Sequence, residues 1–213
     1  MSNEDGRNSN FGRDIKIVFI GNISTGKTSI IEKYIHNKFD INCKATIAPD
    51  FSYKTMKKGD ILYRIQLWDI PGQDRNPSLT RIFLTNAKGV IFCCEVKNKQ
   101  SRYDILKWKK SLEDFFELEE MPMIIMENKC DLLGKEENYN DEFEELKNFG
   151  DNNNFTGVFR TSALNGYNIE KAIEFLLNES IKRFDEYEEL ERSDLESYRI
   201  KAHPNINKAN RCC

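Results

Sequence analysis

The apolar run Asp14-Ile15-Lys16-Ile17-Val18-Phe19-Ile20 empties directly into Gly21-Asn22-Ile23-Ser24-Thr25-Gly26-Lys27-Thr28. After it, Ile30, Ile31, Tyr34 and Ile35 recur at helical spacing over Lys27 to Asn37. A strand buried on both faces, a tight loop and a helix are therefore fixed in that order. The pattern Gly-x-x-x-x-Gly-Lys-Ser/Thr suits such a junction. Gly21 and Gly26 let the backbone curl, its N–H groups can surround phosphate oxygens, and the helix N-terminus adds positive potential. Lys27 is placed to reach the β- and γ-phosphates, and the Thr28 hydroxyl to ligate a bridging Mg²⁺. Ile23, Ser24 and Thr25 fill the middle of the cradle and Ser29 follows it. A loop that merely turns a strand into a helix is the plainer reading, against which stands the full eight-residue match.

With 213 residues the chain can bury one substantial core plus flanking segments. A net charge of −3 offers no broad basic field, so nucleic acid is not an expected partner. Apolar runs such as Gly89 to Glu95 are too short to span a bilayer, and the Asn-rich N-terminus lacks a signal-peptide core, which points to a soluble, cytoplasmic body. Cys43, Cys93, Cys94 and Cys130 lack metal-ligand spacing, and only His36 and His203 could add imidazole, so structural zinc and disulfides are not expected. Cys212 and Cys213 end the chain, where they cannot staple a core.

Residues Met1 to Arg13 have the composition of a disordered arm. Phe51 to Lys57 and Ile61 to Trp68, joined by Lys58-Gly59-Asp60, read as an antiparallel hairpin whose second strand sends Ile61, Tyr63, Ile65 and Leu67 to one face. Gly89 to Val96 is a further strand, and Arg102 to Leu118 a helix with Ile105, Leu106, Trp108 and Leu112 inward. Met123 to Met126 follows as a short buried strand. Asp141 to Phe149 reads as a helix capped by Asn140 or Asp141, and Val158-Phe159 as a last strand. Asn168 then opens a long helix whose apolar face is Ile169, Ala172, Ile173, Leu176 and Leu177. This alternation predicts an α/β fold: a six-stranded, mostly parallel sheet with one antiparallel hairpin strand, helices on both faces, and ligand loops at the strands' C-terminal ends. The globular domain is expected over 14–190, followed by a flexible tail over 191–213.

A phosphate cradle does not distinguish ATP from GTP, so the base must be read elsewhere. Asn128-Lys129-Cys130-Asp131 follows the Met123 strand. An ionised Asp131 only accepts, so it can take both the ring N–H and the exocyclic amine of guanine, where adenine presents an acceptor. Lys129 would lie along the base, and Asn128 would tie this loop to the cradle. Thr161-Ser162-Ala163, with Leu164 after it, could bring a backbone N–H to the guanine carbonyl. Trp68-Asp69-Ile70-Pro71-Gly72-Gln73 closes the hairpin strand: Asp69 can hold Mg²⁺ through water, Gly72 can offer its N–H to the γ-phosphate, and Gln73 can orient the attacking water as the catalytic residue. Thr46 is the natural second hydroxyl ligand for Mg²⁺. Phe39 could pack on the guanine edge or serve the core.

With these motifs in place, Asp14 to Phe184 resembles the Ras-like small GTPases, and within them the Rab proteins of vesicle traffic. The resemblance implies a monomeric GTP/GDP switch that recruits effectors in its GTP state. Phe51, Trp68 and Phe83 fall where Rab proteins place an effector-reading aromatic triad, with Phe83 in the place of a tyrosine. The Ile70 variant, with Thr80-Arg81, looks most like the branch serving lysosome-related organelles and phagosomes. Cys212-Cys213 resembles a double geranylgeranylation site, holding the protein on the cytosolic face of an endomembrane. The implied partners are an exchange factor, a GTPase-activating protein, a dissociation inhibitor, an escort protein with its prenyltransferase, and effectors.

Three departures from the family pattern fall where the switch works. Ile23-Ser24-Thr25 replaces small cradle residues, Pro71 precedes Gly72, and Ala48-Pro49 replaces a glycine-containing pair. A branched Ile23 beside the γ-phosphate obstructs Gln73 and any arginine finger, and the fixed φ of Pro71 stiffens the hinge. Slow turnover follows as one expectation. Retained Gln73 and Thr46 favour the other, ordinary hydrolysis.

Overall fold

Strand β1 (Arg13–Ile20) shows why the chain must be layered: Ile15, Ile17, Val18, Phe19 and Ile20 are all buried, so both faces of the strand need cover. It lies between β3 (Ile61–Asp69) and β4 (Gly89–Glu95), parallel to each. Adding β2 (Asp50–Lys58), β5 (Met123–Asn128) and β6 (Gly157–Arg160) completes a six-stranded sheet in the order β2-β3-β1-β4-β5-β6. Only the β2–β3 pairing is antiparallel. This computed structural model describes residues 13–72, 82–113, 121–134 and 139–202.

One face of the sheet is covered by α1 (Lys27–His36) and α4 (Ile169–Ala202), the other by α2 (Lys99–Glu113) and α3 (Tyr139–Asn152). The alternation along β1 decides which residues go where. Ile15, Ile17 and Phe19 pack with Ile30 and Ile31 of α1 and with the α4 stripe Ile169, Ala172, Ile173, Leu176 and Leu177. Val18 and Ile20 pack with Ile105, Trp108 and Leu112 of α2 and Leu146 of α3. Chain order reverses at β1, with β3 on one side and β4 on the other, which is where open α/β sheets place a ligand cleft.

The expected architecture is present, with local corrections. Arg13, assigned to the arm, is already in β1, where its guanidinium pairs with Asp185 and lies 5.3 Å from the Phe184 ring centroid. Ile61 leaves the buried face of β3 at the hairpin end, while Tyr63, Ile65 and Leu67 stay inside. Helix α3 already includes Tyr139, so the expected cap positions 140 and 141 fall inside the helix; Asp141 and Glu142 stand in its first turn, at the positive end of its dipole. Strand β5 runs on through Glu127 and Asn128, and α4 continues as helix to Ala202, past the boundary drawn at residue 190. The expectations for Gln73, Thr80-Arg81, the end of the Arg102 to Leu118 helix and Cys212-Cys213 lie outside the described residues. Among the described residues no helix is long and apolar enough to cross a membrane.

Candidate nucleotide site

The loop between β1 and α1 delivers an uncapped helix end. Gly26 stands at the N-cap in the left-handed region (φ 89°), no side chain caps the helix, and its first turn carries no acid. Most helices satisfy these N–H groups with a Ser, Thr or Asp; here they are left for an anion. A side chain at Gly26 would also collide with Asn128, whose Nδ2 lies 2.3 Å from where a Cβ would stand.

Lys27 arches back over this loop and is only 5 % exposed. Its amine donates to the carbonyls of Gly21 at 2.9 Å and Asn22 at 3.0 Å. Burial pushes its pKa down and the neighbouring Asp69 carboxylate partly offsets this, so an anion placed alongside would favour the charged form. Asn22 is itself anchored from α2: Trp108 Nε1 donates to its Oδ1 at 3.0 Å, and its Nδ2 donates to Asp104 Oδ2 at 2.7 Å.

Three oxygens converge beside the cradle. Thr28 Oγ1 donates to Asp69 Oδ2 at 2.5 Å, Thr46 Oγ1 is 2.8 Å from Thr28 Oγ1, and Thr46 Oγ1 donates to Asp69 Oδ2 at 3.2 Å. Burial raises the Asp69 pKa, against the pull of the Thr28 hydrogen bond, the Lys27 charge and the Thr46 hydrogen bond. Asp69 Oδ1 is buried and has no hydrogen-bond partner among the described residues. Two hydroxyls and a carboxylate with an orphaned oxygen form a donor set suited to a small, hard cation. Gly72 closes this end of the cleft; a methyl there would stand 2.3 Å from Ile23 N and 2.4 Å from Asn22 C.

At the far end, Asn128 bridges the loops. Its Nδ2 donates to Thr25 O at 3.0 Å and its Oδ1 accepts from Ala163 N at 3.1 Å. Ser162 Oγ donates to Asp131 Oδ1 at 2.5 Å, and Lys129, in the left-handed region at φ 64°, pairs with Glu95 at 3.0 Å. Between the two ends lies a cleft of about 470 Å³. Its walls carry Ile23, Ser24, Gly26, Lys27, Thr28, Ser29, Phe39, Thr46, Gly72, Asn128, Lys129, Asp131, Ala163 and Leu164. Phe39 thus belongs to the cleft and not to the core. Gly21, Thr25 and Ser162 stand behind the wall and hold Lys27, Asn128 and Asp131 in place.

This assembly coincides with family membership. Residues 16–182 match the Ras family model. The chain belongs to the Ras family. As a Ras-family GTPase it binds GTP and GDP and hydrolyses GTP. It is 36 % identical over 174 residues to Ras-related protein Rab-32A of Dictyostelium discoideum, covering 78 % of each chain. To Ras-related protein Rab-32 of Mus musculus it is 31 % identical over 203 residues, 93 % of this chain and 89 % of the relative. Ras-related protein Rab-7L1 of Homo sapiens matches at 30 % over 175 residues, 80 % of this chain and 84 % of the relative.

Three supports of this GTPase's site went unread in the sequence: the Glu95–Lys129 pair, the anchoring of Asn22 by Asp104 and Trp108, and the partners of Glu127. Only the last had a signal. A carboxylate at the end of Met123-Ile124-Ile125-Met126-Glu127 must find a buried partner.

Proposed function

We propose that the protein is a Rab-type, membrane-attached switch in vesicle traffic, recruiting effectors when loaded with GTP. The observation that carries this reading is the pairing of Thr46 with Thr28 and Asp69 at one end of a cleft whose other end presents Asp131. A guanine nucleotide spanning the two ends would join base recognition to the order of the Thr46 loop. Asp131 would accept the ring N–H and exocyclic amine, a backbone N–H of the Ser162-Ala163-Leu164 loop would meet the guanine carbonyl, and Phe39 would flank the ring. Lys27 and the α1 N-terminus would hold the phosphates. Thr28, Thr46 and, through water, Asp69 would hold Mg²⁺, which neutralises charge on the β- and γ-phosphate oxygens when bound. Gln73 would orient the attacking water.

The output face fits the same reading. Phe51 and Trp68 stack with centroids 5.2 Å apart, and Trp68 meets Phe83 at 6.3 Å. Phe51 is 53 % exposed, so the stack is open to a partner. The Ile70 form of the second switch extends this reading to the branch serving lysosome-related organelles and phagosomes. Cys212 and Cys213 would carry two geranylgeranyl chains, enough for stable anchoring. Exchange factor, activating protein, dissociation inhibitor, escort protein and prenyltransferase are the corresponding partners.

A second reading, an effector-recruiting module that hydrolyses poorly, is favoured by Ile23, whose side chain lines the cleft beside Gly72 and is 46 % exposed. Bound nucleotide measured after purification, and again after an hour at 25 °C, separates the two. Conversion to GDP supports the first reading and persistent GTP the second; adenine nucleotide or none would overturn both. Gly72→Ala checks the γ-phosphate end. The added methyl cannot coexist with the Asn22–Ile23 backbone, so GDP affinity should stay within about threefold while a non-hydrolysable GTP analogue loses about tenfold or more, read by competition binding.

A further inference from the structure

Glu127 is 1 % exposed and sits between two arginines drawn from different elements. Arg102 Nη2, on the first turn of α2, donates to its Oε1 at 2.6 Å, and Arg160 Nε, at the end of β6, donates to its Oε2 at 2.8 Å. Glu142 of α3 lies 3.9 Å from Arg160 Nη2, and the Phe143 ring lies 5.2 Å from the same guanidinium. Such a set is a poor choice for stability alone, because desolvating the charges consumes most of their mutual attraction.

Its position suggests another role. Glu127 and Arg160 are register partners in the β5–β6 ladder. The residue after Glu127 is Asn128, and the residue after Arg160 is Thr161, so the ion pair spans the point where the two base-reading loops part. Backbone bonds Thr161 N to Glu127 O (2.9 Å) and Cys130 N to Thr161 O (3.0 Å) cross the same point. The first turn of α2 adds a second tie: Ser101 Oγ accepts from Glu95 N at 3.0 Å, and Glu95 holds Lys129.

We propose that Arg102, Glu127 and Arg160 are positioning residues for guanine: by locking β5 to β6 and α2 they hold the Asp131 loop against the Ser162-Ala163-Leu164 loop at the separation one base requires, and so set nucleotide residence time. The proposal rests on the guanine reading above. Arginine offers donors only, and a carboxylate accepts on both oxygens. Glu127→Gln keeps the shape but turns one acceptor into a donor facing a guanidinium, so one arginine must withdraw. Arg102→Lys keeps the charge and loses the fork.

The test is release of fluorescent GDP and IDP from the full chain at saturating Mg²⁺, with melting followed on the same samples. IDP lacks the exocyclic amine, so the ratio of its release rate to that of GDP reports the Asp131 contact. Glu127→Gln should release GDP about tenfold faster or more and pull the IDP-to-GDP ratio towards one, with Arg102→Lys between it and wild type. Both variants melting lower while that ratio stays within about twofold of wild type would overturn the positioning role. So would failure of both variants to fold, which would make the set a folding element. Wild-type protein that holds ADP as long as GDP would instead sink the guanine reading itself.

Discussion

Asp131→Asn should cost the protein its preference for guanine and give it one for xanthine. The carboxylate would accept from both the ring N–H and the exocyclic amine, whereas an amide offers one acceptor and one donor. Guanine would then set its amine against the amide NH₂. Xanthine carries an oxygen where guanine carries the amine, so it would pair with both amide groups. Sites that hydrogen-bond a buried substrate group reject the mismatched analogue by about 10⁴. GTP affinity should fall by about 10³ to 10⁴ and XTP should displace labelled nucleotide where it did not before, both read by competition against fluorescent GDP. Ser162 does not stand in the way, because its hydroxyl can keep donating to the amide oxygen from its place at 2.5 Å. An Asp131→Asn variant that still preferred GTP would show that the base is read elsewhere.

Ile23→Gly should accelerate hydrolysis. The Ile23 side chain enters the cleft from the cradle, and its backbone N packs on Gly72 so closely that no methyl fits between them. A branched side chain there takes up space that an in-line water and an arginine finger need. Removing it should raise the intrinsic single-turnover rate about tenfold and the rate with an arginine-bearing activating protein by about 10² or more, within the 10³ to 10⁵ that such a finger supplies. Chemical quench of pre-loaded GTP measures both. Identical rates for the two proteins would mean that Ser24, at φ 65°, and its neighbours already seat Ile23 out of the reaction path.

The parts of the site legible in the sequence were those that local chemistry dictates. The cradle is continuous, so Gly26, Lys27 and Thr28 announce themselves through spacing. Asn128 and Asp131 lie three residues apart on one loop. Asp69 and Gly72 lie equally close, at the end of the hairpin strand. The supports behind them were illegible because their partners are remote: Glu127 finds Arg102 25 residues away and Arg160 33 residues away. Asn22 meets Asp104 82 residues on and Trp108 86 residues on. Trp108 could be read as inward from helical spacing, since burial follows periodicity, but periodicity is silent on what an indole N–H touches. The early start of α3 has a similar cause. Asp141 serves equally as a cap candidate and as a first-turn acid, and composition alone does not choose between the two roles.

The buried Asp69 Oδ1, without a partner among the described residues, has a consequence beyond the chemistry of the cleft. Nucleotide, and any cation held there with it, would bind the folded chain alone, and at a thousandfold excess over Kd such a ligand would add about 4 kcal/mol of stability. Loading and folding thus become one equilibrium. A chain stripped of its nucleotide would then also be the one most open to proteases.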